Sequence, residues 1–270
     1  VDVVVWSRIH LPWRPVGSRM SEGTTVGRRV FPEVLDGLDA EDPRAQRSRR
    51  DLRRIHRAMG SLTILRNLVA RLRLAAQPTS IVEIGAGDGT LLLRLARILR
   101  PRWRGVELTL LDRRPAVDMN TIDGYRGLEW RVNVVREDVL VWAQRTDAER
   151  YDLCIATLFL HHFEDADLRT LLAGVAGKSR AFIACEPRRD GLSDLGSRLV
   201  ALLGSNAVTR EDAIKSVAAG FSGEEISAAW PGDEEEAWLL EEYRALPFSH
   251  CFLAARACAF SDVEPASHGH

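Results

Sequence analysis

The chain has 270 residues, 46% of them hydrophobic, which is enough to bury one sizeable core. A formal net charge of -1 excludes any whole-chain attraction to nucleic acid or an anionic membrane surface, and leaves local patches to be judged separately. The longest apolar runs fall far short of the ~20 residues that span a bilayer, and Val1-Asp2-Val3-Val4-Val5-Trp6 is too short and wrongly flanked for a secretory signal; a cytoplasmic protein is expected.

Residues 1–42 read as a weakly ordered extension. The first nineteen residues hold Trp6, Trp13 and two prolines without periodicity, and Met20 opens a polar stretch, so Met20 is the expected native start. From Asp42-Pro43 the pattern turns helical, with Leu52, Ile55, Met59, Leu62, Leu65, Val69 and Leu72 spaced three or four apart. Gly60-Ser61 interrupts this stripe and splits residues 43–76 into two helices of a cap. Arg47, Arg50, Arg53, Arg54 and Arg57 lie opposite. With no aromatic residues interleaved, they read as a solvated face before a phosphate-binding one.

After Ala76-Gln77-Pro78, strand and helix signals alternate through a core spanning 77–258. Strands are expected at 80–84, 107–111, 128–135, 151–157 and 180–185, with helices at 90–99, 115–122, 139–144 and 165–176. Short connections between them imply βαβ units around a largely parallel sheet. Two helical stretches at 192–203 and 210–219 form an insertion over 191–220. Strand candidates at 237–243 and 249–257 are joined by Ala245-Leu246-Pro247-Phe248, too short a link for a parallel crossover, so they pair antiparallel. Residues 259–270 read as a flexible tail. Cys154, Cys185, Cys251 and Cys258 lie in or beside apolar strands without a C-x-x-C pair, and read as buried thiols. No metal-ligand motif is found.

Chemistry concentrates at the strand ends. In Ser80-Ile-Val-Glu-Ile-Gly-Ala-Gly-Asp-Gly-Thr90 a glycine-rich turn joins a strand to a helix, where a backbone free of side chains lets a ligand approach closely. That turn alone would also suit a dinucleotide dehydrogenase, but its spacing is G-x-G-x-G, with Glu83 inside the strand. Asp112 ends the next strand, where a carboxylate can accept both ribose hydroxyls of an adenosine ligand. Asp138-Val139 follows the third strand. The fourth runs from Tyr151 to Thr157 and leads into Leu158-Phe-Leu-His-His-Phe163.

Taken in order, these motifs resemble class I S-adenosylmethionine-dependent methyltransferases of the small-molecule type, including those of ubiquinone and menaquinone biosynthesis. The resemblance covers about residues 77–256. More loosely, the Arg-rich helix and the run from Val208 to Pro231 look like methyltransferases that accompany type III polyketide synthases. It implies an α/β, Rossmann-like seven-stranded sheet, mostly parallel with an antiparallel C-terminal strand, plus a helical cap. It also implies S-adenosylmethionine held by Glu83, Gly85, Ala86, Gly87, Asp112, Arg113, Asp138, Val139 and Thr157, with Asp138 at the position that binds the adenine amino group.

His161 and His162 follow the strand that should face the methyl group, so each is a candidate catalytic base or substrate partner; the alternative is a packing or capping role. Glu186 and Arg188, after the fifth strand, are further candidates to face the substrate, Arg188 for an acidic one, with structural ion pairing as the alternative. Leu192, Leu195, Leu199, Leu202 and Leu203 recur on a helical period and suggest an apolar cap over a small hydrophobic acceptor. The expected function is methyl transfer to a small aromatic or polyketide-like acceptor, chiefly on oxygen. A cofactor-binding partner without turnover and an RNA methyltransferase are the alternatives. The sequence does not fix the oligomeric state.

Overall fold

The computed structural model describes residues 14–15, 27–38, 42–72, 74, 76–146, 149–199, 204–232 and 238–256. The extension before residue 14, Met20 and the tail after Arg256, Cys258 included, lie outside them. The sheet strands are β1 (Arg14–Pro15), β2 (Ser80–Ile84), β3 (Glu107–Asp112), β4 (Arg131–Arg136), β5 (Leu153–Thr157), β6 (Ala181–Pro187), β7 (Trp238–Ala245) and β8 (Ser249–Arg256), in the order β1-β7-β8-β6-β5-β2-β3-β4. Strands β2 to β6 are mutually parallel, and β8 is inserted antiparallel between β6 and β7. The expected seven strands are therefore present in the expected directions. The sequence reading lacked β1, a two-residue strand pairing with β7 through Arg14 opposite Leu240.

The aliphatic runs form strands because both faces of the sheet are covered. Alternation sends Ile81 to one face, with Leu65, Leu68, Leu92 and Leu95 of helices α2 (Ser61–Leu72) and α3 (Thr90–Leu99). Val82 and Ile84 face the other way, with Trp142, Leu171 and Leu172 of α5 (Val139–Gln144) and α6 (Asp165–Lys178). Each fully buried aliphatic side chain contributes ~1.5–3 kcal/mol. Helix α4 (Met119–Arg126) joins β3 to β4, and the thiols of Cys154, Cys185 and Cys251 are buried and free.

Above the carboxyl ends of the parallel strands lies a cap built from α1 (Pro43–Ala58), α7 (Gly191–Leu199) and α8 (Ala207–Ala219); α9 (Glu225–Ala229) follows. Asp42 starts α1 by accepting the Arg44 N–H, and Pro43 fits the first turn. Buried Asp51 of α1 accepts the N–H of Asn206, whose own side chain caps α8. Residues 27–38 fell within the stretch expected to be weakly ordered. Instead they lie as a strap along α8: the Val34 and Leu35 N–H groups donate to Asp212 at 2.8 and 3.0 Å, Arg29 N donates to Ala218 O, and Lys215 Nζ donates to Pro32 O.

The apolar-cap expectation needs correction. Leu192 and Leu195 are more than half exposed, while Ser193, Gly196 and Ser197 of the same helix line the cavity below. Leu192 and Leu195 mark the outer face of α7. Leu199, Leu202 and Leu203 have no described side chains.

Candidate functional site

The chain passes from β2 outward through β3 to β4, then returns to the other side of β2 as β5. Such a reversal opens a crevice between the carboxyl ends of the two central strands, where ligands bind in open α/β sheets. The turn after β2 and the segment after β5 both face it. All the residues predicted to hold the cofactor, and both histidines, line one cavity of about 1270 Å³ beneath the cap. Ligand pockets commonly enclose ~300–1,000 Å³, so this one has room for a cofactor and a small second molecule together.

On the β2 side, Gly85, Gly87 and Gly89 all adopt positive φ, 67°, 57° and 67°. The two that line the cavity differ in surroundings. A Cβ on Gly85 would lie 2.2 Å from the Phe159 ring, whereas one on Gly87 would meet nothing within 4 Å, which leaves the backbone there open to the cavity. Asp112 closes the turn: Oδ2 accepts from Gly87 N at 2.9 Å and Oδ1 from Arg114 N at 2.7 Å. Each carboxylate oxygen keeps a further lone pair for a ligand hydroxyl. Asp138 is the N-cap of α5, accepting from Leu140 N at 2.8 Å, and Val139 is buried beside it. The capping role explains that carboxylate locally, while its position on the cavity wall leaves it within reach of a ligand.

Among the described residues that line the cavity, four carry a buried side-chain atom without a hydrogen bond in the protein: Glu83 Oε2, Thr157 Oγ1, His56 Nδ1 and Ser193 Oγ. Burial first, then Asp88 and Asp112, push the Glu83 carboxyl well above the ordinary range. Orphaned groups of this kind are costly unless a ligand satisfies them, so the residues present fit a polar, partly cationic ligand at this end.

On the β5 side, Leu158 has φ 52°, an uncommon value for a branched residue. Its N–H donates to Cys185 O, and the chain then enters the short 3-10 turn Leu160–His162. Fully buried Glu186, at the end of β6, organises that turn. Its Oε1 accepts from Phe159 N and Leu160 N, both at 3.0 Å, and its Oε2 lies 2.8 Å from His161 Nδ1. Glu186 thus positions His161 and does not meet a substrate directly. Arg188 is likewise withdrawn: it pairs with Asp190, donates to Pro247 O and is buried away from the cavity wall. Its assignment to an acidic substrate is not supported, because its charge is already satisfied.

Among the cavity residues that the sequence reading missed, Glu33 and His56 carry titratable groups of note. Glu33 arrives on the strap, Oε1 at 3.4 Å from His161 Nε2 and Oε2 at 3.3 Å from His162 Nε2. Burial alone would raise its carboxyl, but the two histidines outweigh that and hold it well below the usual range. His56, on α1, is pushed by burial down to about 4, which keeps its imidazole neutral against the cavity. The cap is latched to the glycine turn by Arg53 and Asp88, 2.8 Å apart. Neither Glu33 nor His56 sits in a motif. His56 lies four residues after Leu52 and three before Met59, on the apolar stripe where a histidine reads as packing, and Glu33 lies in a segment with no period.

No protein-family profile and no curated protein matches the chain. Solved structures do. The plantazolicin methyltransferase BpumL in complex with SAH superimposes with a TM-score of 0.55 at 16% identity, covering 80% of this chain and 91% of that one. Its complex with a pentazolic desmethylPZN analog and SAH gives 0.54 at the same identity, over 79% and 91%. The mitomycin 7-O-methyltransferase MmcR gives 0.50 at 20% identity, over 83% and 60%. At these identities the likeness establishes the fold alone, the one these methyltransferase structures share.

Proposed function

We propose that this chain is an S-adenosylmethionine-dependent methyltransferase acting on a small acceptor, chiefly at oxygen. The observation that carries the reading is the crevice between the β2 turn and the end of β5. There Asp112, Asp138, the orphaned Glu83 and Thr157 oxygens and the open Gly87 backbone converge beside two histidines. The neighbours support it, since BpumL was solved with SAH and MmcR is named for transfer to oxygen.

Glu83 would take the cofactor's cationic amino end, Asp112 its ribose hydroxyls, and Asp138 with Val139 its adenine; Gly85, Ala86, Gly87, Arg113 and Thr157 complete the wall. When bound, the cofactor supplies an electrophilic methyl group on a sulfonium. The chain's remaining task is to align the acceptor and exclude water. Strap, α1, α7 and α8 enclose the cavity for that purpose. His161 and His162 are the proposed catalytic residues: their Nδ1 atoms are occupied by Glu186 and by Phe159 O, so any role towards the acceptor falls to the Nε2 side, which Glu33 also faces. The cap over the cavity favours a small-molecule acceptor over a nucleic acid.

The test combines calorimetry with S-adenosylhomocysteine and mass spectrometry on a panel of phenols, carboxylic acids and polyketide-like acceptors. Asp112→Ala removes hydrogen bonds to a charged group, each contributing ~1.5–3 kcal/mol, so affinity should fall about 10–100-fold in a protein that still melts cooperatively. Unchanged affinity, or selective binding of NAD, would overturn the reading.

A further inference from the structure

Glu33, His161 and His162 meet in a way that hydrogen bonding among them does not account for. His161 Nδ1 lies 2.8 Å from Glu186 Oε2, and His162 Nδ1 lies 2.9 Å from Phe159 O. A neutral imidazole carries one N–H, so each ring places its hydrogen on Nδ1 and presents a lone pair at Nε2. Both lone pairs face the carboxylate oxygens of Glu33, whose Oε1 also accepts a hydrogen bond from Ser216 Oγ; that hydroxyl supplies no hydrogen between either ring and the carboxylate. Lone pair then opposes lone pair unless something positive lies between them.

Two extra protons would serve, but they would create two imidazolium rings with centroids only 4.3 Å apart in a largely buried site. The distances also argue against them. Charge-assisted N–H···O bonds run ~2.7–2.9 Å, whereas Nε2 and oxygen are 3.4 and 3.3 Å apart here. Donors bonded tetrahedrally to an ion at ~2.0–2.1 Å stand about 3.4 Å from one another; each histidine nitrogen has that spacing to one oxygen of Glu33, Oε1 for His161 and Oε2 for His162. One donor atom from each of the three residues lies within 4.8 Å of the others.

We propose that the cavity binds one divalent cation of the zinc class, held by Glu33, His161 Nε2 and His162 Nε2, with the remaining position open to the acceptor. Two nitrogens and one carboxylate with an open fourth position is the donor set of catalytic rather than structural zinc. The supports that such sites need are already built. Metal-ligating histidines turn their other nitrogen to a carboxylate or a backbone carbonyl, the parts played here by Glu186 and Phe159 O. The strap supplies the third ligand, and Asp212 fixes it by accepting the N–H groups of Val34 and Leu35.

This rests on the proposed function only in placing the acceptor in the same cavity. An acceptor hydroxyl or thiol would take the open position, its proton passing to solvent and the bonding electron pair staying on oxygen or sulfur. The two histidines then act as ligands and the ion, not an imidazole, ionises the acceptor.

The full chain, prepared without a metal-affinity step, should retain about one equivalent of metal by mass spectrometry. Chelator-stripped protein should bind zinc in a calorimetric titration, and cobalt(II) should give the intense visible bands of a four-coordinate site. Glu33→Gln and His162→Ala should each weaken zinc binding at least tenfold. Glu186→Gln, which touches no ion, should weaken it about 10–100-fold and shift the cobalt spectrum. Thermal melts identify any variant that fails to fold, and Glu33, on the strap outside the sheet, keeps the test open if His162→Ala does. Absence of retained metal together with weak zinc binding that is equal in wild type and Glu33→Gln would overturn the inference. Titrating S-adenosylhomocysteine into the same samples separates the two claims: nucleoside binding without metal defeats only this one, and metal binding without nucleoside defeats only the proposed function.

Discussion

Glu83 carries the clearest unbalanced cost in the site. Burial, Asp88 and Asp112 raise its carboxyl well above the ordinary range, so the ligand-free fold keeps a proton that the unfolded chain releases near pH ~4.5. The folded state binds more protons above that point, so its stability falls as pH climbs from the unfolded value through the folded one. Glu83→Gln removes the titration. Melting temperatures of variant and wild type should be closest near pH 5 and should diverge in the variant's favour by pH 8; a constant difference across that range would contradict the assignment. The two glycines on the cavity wall give a paired test. Alanine at either meets a left-handed backbone costing ~1–2 kcal/mol, but only at Gly85 does it also strike the Phe159 ring. Gly85→Ala should therefore lose clearly more thermal stability than Gly87→Ala, while Gly87→Ala should lose nucleoside affinity with little further change in melting. The carboxylates were legible in the sequence because each sits at a fixed offset from a strand end. Glu33 was not, because side chains brought in from an aperiodic segment leave no local mark. Arg188 misled because a charge at a strand end looks the same in sequence whether it faces a ligand or, as here, Asp190.

Helices and strands were read well where burial imposes a period. Helix α3 coincides with its expected bounds, Thr90–Leu99, and the break at Gly60 separates α1 from α2. Five-residue α9 escaped because so short a segment shows no stripe, and the leucines of α7 misled because periodicity marks one face without saying which way it turns. The strap was unreadable for a different reason. It is fixed by backbone donors meeting one buried carboxylate rather than by an apolar stripe. Asp212→Ala should strand the partly buried N–H groups of Val34 and Leu35, at ~1–3 kcal/mol each. Amide hydrogen exchange at those two positions should quicken while β2 and β5 stay protected. Equal protection of residues 27–38 in both proteins would show that the strap is held by something other than Asp212.

The strand order places the two halves of the cavity on opposite sides of the β2–β5 crevice, with the glycine turn and Asp112 on one and Glu33, His161 and His162 on the other. The parallel core and the antiparallel last pair were legible in the alternation of elements and the short link between the last two strands, and the inserted last strand was implied by the family resemblance, whereas the closure of the cavity by α1, α8 and the strap depends on long-range bonds such as Asp51 to Asn206. Because the halves rest on different elements, their ligands should be thermodynamically separable. A ligand at one hundred times its dissociation constant stabilises the fold by about 2.7 kcal/mol, and for a protein of this size ~1 kcal/mol moves the melting temperature about 2–4 °C. S-adenosylhomocysteine at that excess should therefore raise the wild-type melting temperature by roughly 5–10 °C. At the same concentration Asp112→Ala, with affinity down about 10–100-fold, should lose about half or more of that rise and Glu33→Gln should keep it, because Asp112 closes the turn on the proposed nucleoside side while Glu33 touches the histidines and Ser216 on the other. Equal loss in both variants would mean that nucleoside binding requires the strap in place, and the cavity would then have to be treated as one coupled site.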